Sequence, residues 1–154
     1  MRRGFTLLEL LIVIIIVGVM ATLGLSQYAQ VVERSRGAEA RQIMGQLRSV
    51  CAAIYMEQEN TARCTANGGA ALGLSGGQAA GVTIPSTACN TSHFFRYTVV
   101  GANNTARGNE GINITALRCA ANGKVPNAAG NARNISLWSD YLTGQSDWFS
   151  PNGY

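Results

Sequence analysis

A lone carboxylate inside a greasy run is the first group in this chain that could do chemistry. Glu9 lies in "GFTLLELLIVIII" (residues 4–16), and no other charge occurs between Phe5 and Leu25. Wound as a helix, Phe5 to Leu25 rises roughly 30 Å, enough to cross the hydrocarbon core of a bilayer. A carboxylate held there costs on the order of several kcal/mol unless it is paired or protonated. A local role is open to it: "TLLE", Thr6 to Glu9, matches a capping box with Thr6 as the N-cap. That pairing would steady a helix start without explaining why the carboxylate sits so close to lipid.

The other reactive side chains are scattered. His93 is the sole histidine, beside Phe94 and Phe95, with no second histidine or cysteine pair around it; neither a metal site nor a base is expected there. Asp140 and Asp147 in "SDYLTGQSDW" offer two carboxylates with hydroxyls, but calcium takes about six or more oxygens, so solvated loop aspartates are the expectation. "LSGGQ" (74–78) repeats the signature peptide of ABC transporter ATPases. The phosphate-cradling P-loop that such an enzyme needs is missing: the sole lysine, Lys124, stands in "RCAANGKV", without the first Gly or the Ser/Thr. "GLSGG" fits a nucleophile elbow, but the chain has no room for the large sheet behind it. No enzyme, cofactor or metal ion is expected.

The elements that must position Glu9 follow from the rest of the 154 residues. Arg2 and Arg3 precede the apolar run, which leaves the N-terminus in the cytoplasm and sends the remainder out. No Ala-x-Ala cleavage pattern follows the run, and helical sequence continues past it, unlike an ordinary secretory signal. Ala40, Ile43, Leu47, Val50 and Ile54 recur at helical spacing, so residues 26–58 read as the amphipathic half of one helix whose apolar half is 5–25. Residues 59–92 contain "TANGGAALGLSGGQAAG" and read as an irregular loop. Three strand-like runs follow at 93–100, 111–119 and 134–142, with Phe95, Tyr97 and Val99 alternating in one and Ile135, Leu137 and Tyr141 in another. Packed on the amphipathic half-helix, residues 93–154 form an antiparallel meander with a C-terminal loop, and the fold class is α+β.

Four cysteines beyond the membrane segment point to two disulfides in an oxidising compartment. They allow three pairings. A hairpin of the first two strands sets Cys119 nearly opposite Cys89, which favours Cys89–Cys119 and leaves Cys51, on or beside the helix face, for Cys64.

The opening residues resemble the start of a type IV prepilin or type II secretion pseudopilin. The features are a short basic leader ending in Gly4, then Phe5, Thr6, and Glu9 at the fifth position after the leader, inside "RRGFTLLELLIVIIIVGVMATLG". The resemblance covers about the first 30 residues, and the long helix with an antiparallel sheet agrees with that family's fold. It implies that a prepilin peptidase removes residues 1–4, cutting between Gly4 and Phe5 and methylating the new amine. It also implies an inner-membrane stage with an assembly platform. Copies of the chain then stack into a surface filament through Phe5, Thr6, Glu9 and the apolar helix. Cleavage would place a positive amine one turn from Glu9. One departure is Ser26, where many type IV pilins carry a bend-forming proline.

Two variants of this reading are a secretion pseudopilin and a minor pilin acting as a DNA- or surface-binding module. Beyond the membrane segment stand ten basic and seven acidic residues, and only Arg96, between two aromatics, hints at a basic-aromatic patch. A nucleic-acid partner is not expected.

Overall fold

The computed structural model describes residues 5–65, 78–79, 82–83, 87–104, 108–127 and 133–150. The chain divides into two compact units, Met1–Ser35 and Arg36–Tyr154. Helix α1 runs from Leu7 to Gln58, through Ser26 and without a proline. In the first unit the side chains from Phe5 to Leu25 stand exposed. It is the one helix among the described residues long and apolar enough to cross a membrane.

The second unit is built on α1 from Arg36 onward. Ala40, Met44, Leu47 and Cys51 are fully buried there, while Ile43, Val50 and Ile54 pack half-buried beside them. The face expected from Ala40, Ile43, Leu47, Val50 and Ile54 is therefore rotated toward Met44 and Cys51. Spacings of four, three and four along α1 keep those buried residues on one stripe; methionine fills the contact as readily as isoleucine would.

Against this stripe lies a four-stranded antiparallel sheet in the order β3 (Phe95–Asn104), β4 (Gly108–Arg118), β5 (Asn134–Asp140), β6 (Ser146–Phe149). Alternation sets its faces. Phe95, Tyr97 and Val99 pair with Arg118, Ala116 and Ile114, and Ile114 and Ala116 pair in turn with Leu137 and Ile135. All of these point to the helix and are buried. The strand β6 corrects the expected C-terminal loop. "SDWF" is too short and too polar to declare itself, but Trp148 pairs with Leu137 and Asp147 with Trp138. Strand β5 also stops at Asp140, so Tyr141 continues no alternation. It sits in the following turn, where its hydroxyl donates to Arg48 O at 3.0 Å and its ring stacks on Tyr55 with centroids 5.4 Å apart.

Residues 59–92, expected as irregular, hold a one-turn helix α2 (Ala62–Thr65) and a two-residue ribbon of β1 (Gln78–Ala79) and β2 (Val82–Thr83). The structure joins Cys51 to Cys64, tying α2 to the buried stripe of α1, and Cys89 to Cys119, tying the approach to β3 to the end of β4. Gly123 packs against the second bridge so closely that a Cβ there would collide with Cys119 Cβ.

Two tyrosines give the unit a pH limit. Burial raises Tyr97 well above the ordinary 10.0, and Glu39 nearby raises it further. Tyr141 is raised by burial, against the opposing charge of Arg48. A phenol whose folded value is raised contributes stability that is complete below the unfolded value and is lost as pH climbs toward the folded one. Unfolding followed between pH 9 and 12 will therefore show falling stability above pH 10, by about 1.4 kcal/mol per pH unit per tyrosine. Tyr97→Phe will halve that slope; an unchanged slope refutes the assignment.

Candidate functional site

The functional segment is the start of α1. Thr6 caps the helix: its Oγ1 accepts the Glu9 backbone N–H and its carbonyl accepts Leu10 N–H, both at 3.3 Å. Such a cap satisfies one of the open donors of the first turn. It also fixes where the helix begins, and hence that Glu9 lies in the first turn. A carboxylate there is favoured by the helix dipole. Phe5, 82% exposed, directly precedes the cap. Phe5, Thr6 and Glu9 are thus gathered at one helix end, surrounded by exposed Leu7, Leu8, Leu10 and Leu11. Gly4 lies outside the described residues.

Residues 1–25 match the family described as the prokaryotic N-terminal methylation motif. The first 25 residues carry this methylation motif. Among curated relatives, the type IV major fimbrial protein FimA of Dichelobacter nodosus is 30% identical over 64 residues, 42% of this chain and 41% of that protein. The fimbrial protein EcpC of Eikenella corrodens is 37% identical over 57 residues, 37% of each chain. The matched part of the chain thus spans about two-fifths of the length of these relatives. No solved structure matches the chain.

The remaining sequence candidates fall in the second unit. Asp140 Oδ1 accepts the N–H groups of Leu142 and Thr143 at 2.9 and 3.3 Å, so this carboxylate caps the β5–β6 turn. Asp147 stands exposed on β6. No cluster of three or more metal-binding side chains forms among the described residues. The His93 carbonyl accepts Lys124 N–H at 2.8 Å. Of "LSGGQ", residues 74–77 lie outside the described residues. Arg96 is exposed on the sheet face opposite the helix.

Sequence reasoning missed a group of cations around one ring. Arg36 of α1, Arg118 of β4 and Lys124 lie 4.6, 5.0 and 4.9 Å from the centre of Phe94. The three come from segments far apart in sequence, so no local spacing announces them.

Proposed function

We propose that this chain is a pilin, a structural subunit of a type IV pilus-type helical filament. The observation that carries the reading is the prepilin segment of residues 1–25, with its capped helix start and its uncovered apolar surface. A prepilin peptidase removes residues 1–4 and methylates the amine of Phe5. Before assembly the apolar half of α1 anchors the subunit in the inner membrane, N-terminus inward. An assembly platform then lifts it into a filament at the cell surface, where the apolar surfaces of neighbouring copies replace lipid. The FimA relative is named for fimbriae, and that name supports the reading.

In this reading the cost of Glu9 has an answer. The amine created on Phe5 is a cation one turn away, and in a filament the Glu9 of one copy meets the Phe5 amine of the next. Charge pairing at this depth acts mainly as a registration device, because a buried ion pair adds little net stability while a broken one is costly.

The intact mass of protein sheared from native cells tests the proposal. Loss of Met1–Gly4, one added methyl group and four missing hydrogens report cleavage, methylation and two disulfides together. Full-length protein confined to membranes overturns it. Gly4→Arg will block the cut, leaving the leader attached and no sheared protein; a normal mature mass from that variant refutes Gly4 as the cleavage position.

A further inference from the structure

A head-to-tail contact in an open helical filament joins one surface of the subunit to a different one, so a globular part that shares in the contact presents two unlike patches. The second unit carries such a pair. The first patch is the group around Phe94: Arg36 and Lys124, both within 5 Å of the ring centre, with Val125 beside them 76% exposed. Arg118 anchors this patch from beneath, donating to Phe94 O at 3.0 Å and Pro126 O at 2.7 Å. The cations share a single ring and lie within about one Debye length of each other, so their fields add.

The second patch is on the far edge of the sheet. Asp147 of β6 pairs with Trp138 of β5, and Phe149 follows Asp147 on the same face, away from the helix. Phe149 is 63% exposed. Arg41 lies over Trp148, which faces the helix side. The outer face therefore carries a carboxylate between two aromatic rings.

We propose that these patches are the two halves of a contact between neighbouring copies of this chain: Asp147, Trp138 and Phe149 of one seat on Arg36, Phe94, Lys124 and Val125 of the next. The argument is sign and shape. Either patch meeting its own copy brings like charges together, which is unfavourable. Only the unlike pairing sets carboxylate against cations and Phe149 against Val125, and that pairing is head-to-tail. The inference rests on the filament reading and adds to it a second adhesive zone, distinct from the helices.

The test uses full-length chains in the native cells, with filament yield measured as sheared protein relative to total cleaved subunit. Asp147→Lys and Lys124→Glu will each cut the yield roughly tenfold, and the double variant will recover most of it. Asp147→Asn, a milder change, will fall between parent and Asp147→Lys. A photo-crosslinking residue placed at Phe149 will capture the segment around Lys124 of a neighbour. Parent-like yields from both single variants, a double variant no better than either, or crosslinks that go elsewhere each overturn the contact. In all of those outcomes the parent still makes filaments, so the pilin reading stands. A parent that makes none removes both.

Discussion

Cells carrying Glu9→Ala will show cleaved, methylated subunit in the membrane and no filament protein in the sheared fraction. The two outcomes separate because Glu9 has two neighbourhoods. In the lone subunit its backbone N–H, not its carboxylate, engages the Thr6 hydroxyl. Alanine keeps that N–H, so the helix start and the cut before Phe5 survive. In the filament the methylated amine of an adjoining Phe5 loses its carboxylate. An uncompensated charge buried among Leu7, Leu8, Leu10 and Leu11 costs about 3–5 kcal/mol, several factors of ten in each addition step. Glu9→Gln separates charge from size: it keeps the shape and a hydrogen-bonding oxygen but not the charge, and will fail nearly as badly. Glu9→Asp, shorter by one methylene, will retain partial assembly. Measured by shear yield and intact mass, normal filaments from Glu9→Ala would refute the ion-pair account, and uncut protein would place the role of Glu9 in processing.

How much of this was legible in the residues depends on how local each cause was. Thr6 and Glu9 announce the helix start because a cap is decided within four residues. Phe95, Tyr97, Val99, Ile135 and Leu137 announce their sheet face because alternation is a property of one strand, and the structure buries all five. Met44 escaped because the exact centre of a helix stripe is chosen by the sheet laid on it. Strand β6 escaped for a similar reason: Ser146–Phe149 owes its extension to β5, which supplies every partner it has in the ladder. The cations at Phe94 were invisible because Arg36, Arg118 and Lys124 meet only after α1, β4 and the loop beyond it are folded together.

Arg118 shows how alternation can name a position yet hide its purpose. It follows Ala116 by two in "ITALRC" and so faces inward, where an apolar residue is the rule. It is 1% exposed, pairs across the ladder with Phe95, and lies 5.0 and 5.6 Å from the centres of Phe94 and Phe95. The rings supply the apolar surroundings and some cation–π attraction, and two backbone carbonyls take its protons at 3.0 and 2.7 Å. Phe94 O also accepts the Cys119 backbone N–H at 2.9 Å, whereas Pro126 lies in the loop after β4, so the guanidinium stitches the approach to β3 onto that loop. Arg118→Met keeps the bulk but strands Pro126 O, at about 1–3 kcal/mol, while Phe94 O keeps the Cys119 N–H. The expected loss is about 2 kcal/mol, read as a lower urea midpoint from Trp138 and Trp148 fluorescence of the full chain in neutral detergent. Arg118→Lys, which lacks the planar fork that reaches both oxygens, will lose roughly half as much. If Arg118→Met instead matches or exceeds the parent, the buried charge costs more than its bonds return. The stitch would then be a determinant of loop conformation, with no share in stability.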